Sequence, residues 1–263
     1  MFTHTRLLVV TGTLAASMFA GPEARSDGSI IGLVDNKSLV LIDFVTRKAA
    51  APVTIRGTDA RIAGFDVRPA DGLLYGIAGN GEIYTLDIKS GQTQKKSKLS
   101  APWPPGVTTT IDFDPAGDRL RVMGSNKANV TVTVDDGKVS VDAPHKFKEG
   151  DVNAGKTPKI IAGAFSEATK GAQSPVLYVI DATTKSLLKQ DPPNEGLLST
   201  IGPLGVTLTE PVAFNIVTTG ERNDAMLTSG GVLFAVNLST GKATSVGKIE
   251  GLTDKLVDIA WID

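Results

Sequence analysis

The chain has no cysteine. That removes disulfides, thiolate metal sites, cysteine nucleophiles and iron–sulfur clusters together. Histidine is nearly absent as well. His4 lies in a leader-like N-terminus, so His145 stands alone in the remainder of the chain, and a zinc site built on two or three histidines of one chain is excluded. Aromatic residues make up only 5% of the sequence, with Trp103, Trp261 and three tyrosines the main candidates for stacking on sugar rings. Neither sign of charge is in excess. The formal net charge is −1, and loss of Arg6, Glu23 and Arg25 with a leader shifts it by one unit. Such a chain carries no electrostatic footprint for nucleic acid or anionic lipid. Helical periodicity with caps is missing. Beyond the N-terminus no stretch is apolar enough to cross a membrane, so no transmembrane anchor is expected.

The N-terminus reads as an export signal. Arg6 supplies the positive charge, Leu7 to Ala20 is mostly apolar and shorter than the ~20 residues of a bilayer span, and Ala24-Arg25-Ser26 places small residues for cleavage before Asp27. Residues 1–26 are therefore expected to be a signal peptide and 27–263 a single domain, secreted to the periplasm or the cell exterior.

Five short apolar strands each carry an aromatic residue near the end, at Phe65, Phe113, Phe165, Phe214 and Trp261, 47 to 52 residues apart. That period is the length of a four-stranded propeller blade. Turn signals separate the strands inside each unit: Pro69-Ala70-Asp71-Gly72, Asp114-Pro115-Ala116-Gly117 and Asp136-Gly137. Asn80-Gly81 reads as a type I′ hairpin turn with both residues at positive φ. The fifth aromatic strand has nothing after it, and the strands at Ile30 to Val34 and Leu39 to Phe44 have no inner strand before them. Joining the two fragments completes one blade. The expectation is an all-β, five-bladed β-propeller closed by its N- and C-terminal strands, which removes the exposed edges of an open sheet. Lys95-Lys96-Ser97-Lys98 falls where an edge strand ends, and lysine there blunts edge pairing.

Candidate chemistry is sparse. Gly150 to Thr157 matches the phosphate-binding loop pattern in letters, but Pro158 follows at once and no helix does, so it reads as a connection between blades. The residues after the five aromatics are Asp66, Asp114, Ser166, Asn215 and Ile262. Rotational symmetry would bring such positions to one mouth of a central channel. There Asp66, Asp114 and Asn215 could hold a structural divalent cation such as Ca²⁺; alternatively each caps its own turn. Asp66, Asp114 and Glu167 recur in successive repeats and could serve a carboxylate-dependent hydrolase. His145 reads as a solvated loop residue, and Ala101 to Gly106, with Trp103, as a stiff loop between blades.

The motifs Gly64-Phe65-Asp66-Val67-Arg68-Pro69, Leu74-Tyr75-Gly76, Asp112-Phe113-Asp114-Pro115, Gly150-Asp151-Val152-Asn153-Ala154-Gly155 and Leu177-Tyr178-Val179-Ile180-Asp181 run through most of the chain. On these the sequence resembles the bacterial secreted family called domain of unknown function 4394, with Ala164-Phe165-Ser166 where the family usually has Ala-Tyr-Thr or similar. The resemblance implies an extracytoplasmic β-propeller and carries over no catalytic residue. The functional expectation is a binding or scaffold module for an unknown protein or small-molecule ligand. The alternative is a carboxylate- or metal-dependent hydrolase or lyase acting at the channel mouth.

Overall fold

A computed structural model describes residues 28–103 and 108–262. The leader, the cleavage point before Asp27 and residues 104–107 lie outside the described residues. Twenty-one strands form five sheets. The first holds β1 (Ser29–Val34), β2 (Ser38–Asp43) and β3 (Val53–Thr54). The second runs β4 (Ile62–Val67), β5 (Leu74–Ala78), β6 (Glu82–Leu86), β7 (Thr93–Lys98). The third runs β8 (Thr109–Asp114), β9 (Arg119–Gly124), β10 (Asn129–Thr133), β11 (Lys138–Val141). The fourth has five strands: β12 (Lys146–Phe147) pairs in parallel outside β16 (Leu197–Pro203), and β15 (Ser186–Gln190), β14 (Leu177–Asp181) and β13 (Ile160–Phe165) follow inward. The fifth runs β17 (Val212–Thr219), β18 (Arg222–Ser229), β19 (Val232–Val236), β20 (Ala243–Lys248). Then β21 (Leu256–Ile262) returns to the first sheet and pairs antiparallel with β1, Ile30 opposite Trp261 and Gly32 opposite Ile259. The result is a five-bladed propeller whose first blade takes its innermost strand from the C-terminus.

Local chemistry sets the hairpins. Asp35 and Asn36, at φ 49° and 61°, are the central residues of the turn that the Lys37 N–H closes onto the Val34 carbonyl, the two left-handed positions that a type I′ turn requires. The Asn80-Gly81 turn differs from the sequence expectation. Its loop is three residues, Gly79 to Gly81, with only Gly81 at positive φ and its N–H bonded to the Ala78 carbonyl. That is the three-residue connection, in which glycine alone takes the left-handed position.

The apolar core is divided among the five gaps between blades. Ile31, Leu33 and Leu39 meet Phe65 and Leu74 in the first gap, Tyr75 and Ile83 meet Phe113 and Val122 in the second, and Ile161, Ala164 and Leu187 meet Phe214 and Leu227 in the fourth. Ala213, Met226 and Leu233 meet Ile30, Val40 and Trp261 where the ring closes. Burying such side chains contributes roughly 1.5–3 kcal/mol each. The gap between the third and fourth blades is the exception. Its cluster is almost all from the fourth blade, with Met123 alone reaching across from the third, and a buried polar network lies beside it. An ionic fork ties the second blade to the third between the β4–β5 and β8–β9 loops: Arg68 Nε and Nη2 donate to the two oxygens of Asp118. Among the described residues no helix is long and apolar enough to cross a membrane.

Strand β21 buries Leu256, Ile259, Ala260 and Trp261 in the closing blade. Deleting residues 256–263 is expected to abolish cooperative unfolding, followed by circular dichroism in urea. A sharp transition with the wild-type slope would contradict the closure.

Candidate functional site

The innermost strands β4, β8, β13, β17 and β21 stand side by side around the axis, each touching the next. Their first residues meet at one mouth of the channel and their last at the other. Successive side chains on a strand point to opposite faces, and this assigns two roles. The aromatic residue packs back onto the preceding blade: Phe65 joins the first-gap cluster, Phe113 the second and Trp261 the closing one. Residues an odd number of positions away face the following blade, and on three strands one of these is aspartate.

Each of the three aspartates crosses to the next inner strand. Asp258 Oδ2 accepts the Phe65 N–H at 3.0 Å. Asp66 Oδ2 accepts the Phe113 N–H at 2.8 Å, and Asp112 Oδ1 accepts the Phe165 N–H at 2.8 Å. An inner strand has no sheet neighbour on the channel side, so these N–H groups need a partner from elsewhere. Gly64 makes room for the first bond, since a Cβ there would stand 3.1 Å from Asp258 Oδ2. All three carboxyls are more than nine-tenths buried. Burial is the main cause that raises the Asp66 pKa, to about 7. Burial, with Asp66 as the next cause, holds Asp112 well above the carboxylate range, and burial does the same to Asp258. The five inner strands carry no lysine, arginine or histidine, so no cation on them opposes the shift.

The sequence-predicted ligands divide. Asp66 and Asn215 line the same cavity of about 480 Å³ at the mouth formed by the strand ends, together with Asp112. The Asn215 side chain makes no hydrogen bond among the described residues. Asp114 does not line this cavity; its Oδ1 caps the following turn, accepting the N–H groups of Ala116 and Gly117 at 3.0 and 3.2 Å. Ser166 likewise takes the Val176 N–H at the next turn. Turn capping and channel facing are thus both realised, at different repeats. Glu167 also stays outside the cavity, with its N–H bonded to Asn223 Oδ1 and its carboxylate to the Ser174 N–H. Among the described residues no three histidine, aspartate or glutamate side chains are gathered to hold a metal ion.

The phosphate-loop look-alike folds on itself. Asp151 accepts the N–H and hydroxyl of Thr200, and Lys156 Nζ donates to Asn153 Oδ1 at 2.9 Å. No helix follows it. Trp103 is half-buried against the second-gap cluster and donates to Thr109 Oγ1 at 2.8 Å.

His145 corrects the sequence reading, because it is buried, with 1% of its surface exposed. It sits among Arg121, Gln190 and Asn129 between the third and fourth blades. Arg121 Nη1 donates to Asn129 Oδ1 and Asp142 Oδ2, and Gln190 Nε2 to the Pro193 carbonyl. The Gln190 amide stands beside the imidazole, yet neither ring nitrogen is in hydrogen-bond geometry with a partner. Burial lowers the His145 pKa to about 4, with Arg121 adding to the fall. The parallel strand β12, starting at the next residue, carries His145 inward; a two-residue strand has no periodicity from which to foresee this.

These shifts fix a pH dependence. Asp66 keeps its proton in the folded state up to about pH 7, whereas the unfolded carboxyl loses it near 3.8. Its contribution to stability is complete below the lower value and is lost as pH rises to the upper one; Asp112 and Asp258 extend the loss further upward. His145 acts in the opposite sense, favouring the fold above 6.5 and losing that contribution as pH falls toward 4. The three carboxyls outnumber the one histidine. Urea midpoints are therefore expected to fall as pH rises from about 5 to about 8, and Asp112→Asn, which keeps an acceptor oxygen, to reduce the slope. A wild-type midpoint that rises across this range would contradict the assignment.

Comparison with known proteins adds the family and the fold. The family described as a domain of unknown function (DUF4394) matches residues 38–260. A structural-genomics protein of unknown function from Bacteroides thetaiotaomicron superposes with a TM-score of 0.55 at 14% identity. The superposition covers 88% of this chain and 61% of that one, so this chain spans about three-fifths of its length. The major allergen Mala s 1 of Malassezia sympodialis superposes with a TM-score of 0.52 at 13% identity, over 86% of this chain and 77% of that one. At such identities the likeness concerns the fold alone. No curated protein matches the chain.

Proposed function

The chain belongs to that family of unknown function, and from that premise we propose that it is an exported binding module whose ligand sites are the mouths of its propeller channel. The observation that carries this reading is the cavity at the strand ends. It is lined by Asp66, Asp112 and Asn215, and no lysine, arginine or histidine lines it. A cavity of this size lies in the range of small-ligand sites, and two carboxyls with an amide oxygen offer a cation its ligands once the carboxyls give up the protons that burial holds on them. A hydrated divalent ion such as Ca²⁺ takes oxygen ligands of this kind and tolerates irregular geometry. Asp66 and Asn215 supply two of them, and Asp112 replaces Asp114, which is held by its own turn.

Bound cation stabilises the folded state by mass action. Millimolar Ca²⁺ or Mg²⁺ should raise the melting temperature of chelator-treated protein at pH 8, and the Asp66→Asn/Asn215→Ala double variant should lose the response. If neither ion shifts the wild-type melt, the cation reading fails and these side chains serve only the ring.

Export rests on the leader pattern and the family resemblance. Mass spectrometry of protein recovered outside the cytoplasm should give Asp27 as the first residue. Full-length protein beginning at Met1 and confined to the cytoplasm would refute it.

A further inference from the structure

The opposite mouth carries basic side chains, which the first does not. Its cavity, of about 460 Å³, is lined by Arg61, Lys255, Asp35, Thr108 to Thr110 and Asp258. We infer that this mouth binds a small oxyanion-bearing solute, one carrying a carboxylate or a phosphate group, through Arg61, Lys255 and Thr110.

Several observations converge. Arg61 Nη1 donates to the Asp35 carbonyl at 3.0 Å and makes no ion pair among the described residues, so the rest of its planar fork is uncommitted. Lys255 likewise has no ion pair among them, and both side chains are exposed at the rim. Thr110 lines the cavity, and its hydroxyl makes no hydrogen bond among the described residues, so it is open to a group bound there. Two carboxyls line the cavity as well, each with an oxygen committed to a backbone N–H. Asp258 directs one oxygen to the Phe65 N–H and the other to the Ile259 N–H, each at 3.0 Å, and burial favours its uncharged form. Asp35 turns Oδ1 to the Lys255 N–H at 3.3 Å.

Two uncommitted cations and a free hydroxyl at one cavity are a donor set. Guanidinium matches the two oxygens of a carboxylate or phosphate in fork geometry, and ammonium supplies a second charge without directional demand. A neutral solute would leave both cations unpaired, and a cationic one would be repelled. The inference does not depend on the cation reading of the other mouth, because the two cavities share no lining residue.

The test is isothermal titration calorimetry of the mature chain with succinate, inorganic phosphate and neutral glucose at constant ionic strength. Direct heats are required because phosphate stabilises folded proteins by exclusion, without a site. Succinate or phosphate should bind saturably with a dissociation constant below about 10 mM, and glucose should not. A response to succinate alone identifies carboxylate solutes, and one to phosphate alone identifies phosphate-bearing ones. Arg61→Gln/Lys255→Gln, at exposed positions, should lose about tenfold or more in affinity, Thr110→Val should lose less, and Asp66→Asn at the far mouth should bind as wild type. Absence of saturable binding by both anions, or equal binding by the Arg61→Gln/Lys255→Gln protein, would overturn the inference.

Discussion

The innermost strand of every propeller blade has one edge without a sheet neighbour, the edge that lines the channel, and its N–H groups cannot be satisfied within their own sheet. In this protein the neighbouring blade satisfies them at three successive junctions, with a carboxyl of Asp258, Asp66 and Asp112 in turn. The same strand then does two jobs by simple alternation: its aromatic ring fills the gap behind it, and its aspartate reaches the backbone ahead. Apolar burial and polar satisfaction are thereby coupled along one direction of the ring. The junctions from β13 to β17 and from β17 to β21 have no such carboxyl on the bridging face, where Ala164, Ser166, Ala213 and Asn215 stand instead. The ring is held unevenly, by charge-capable groups on one side and by apolar contacts on the other.

The gap between the third and fourth blades shows what happens when an apolar surface is incomplete. Met123 alone crosses it, and the remaining space is taken by Arg121, Asn129, Asp142, Gln190 and His145. Arg121 there is ion-paired with Asp142 and hydrogen-bonded to Asn129, as a buried charge requires. Its Nε, the His145 nitrogens and Gln190 Oε1 lack partners. A network satisfied only in part costs more than apolar packing of the same volume.

The fold was legible because its signals are periodic. Five aromatics at near-constant spacing and an orphan strand at each terminus determine blade number and closure, and both follow from alternation and turn chemistry alone. The site was only partly legible. Asp66 and Asn215 were found through their position after the aromatic, but Asp114 shares that position and is turned outward by Pro115-Ala116-Gly117. Asp112 and Asp258 carried a signal that repeat arithmetic passes over: each is a charge within an otherwise apolar inner strand, at a different offset from its ring. A buried carboxyl in such a strand needs a donor, and the channel-facing N–H of the next blade is the donor the topology supplies. His145 lay beyond reach, since its burial depends on β12 crossing to the fourth blade, a pairing no local pattern encodes.

The carboxyls that satisfy the ring also give the channel its polarity. Asp66 and Asp112 open onto the mouth at the strand ends, where no basic residue lines the cavity. Asp258 lines the other, with both oxygens occupied by backbone N–H groups. Burial favours the uncharged form of Asp258, so it lends that mouth no negative charge, and Arg61 and Lys255 at its rim set the sign. The two mouths thus differ in their basic residues, absent at the strand ends and present at the strand starts. Asp258 stands three residues before its ring and Asp112 one residue before, and that two-residue offset sets Asp258 nearer the strand starts, at the basic end.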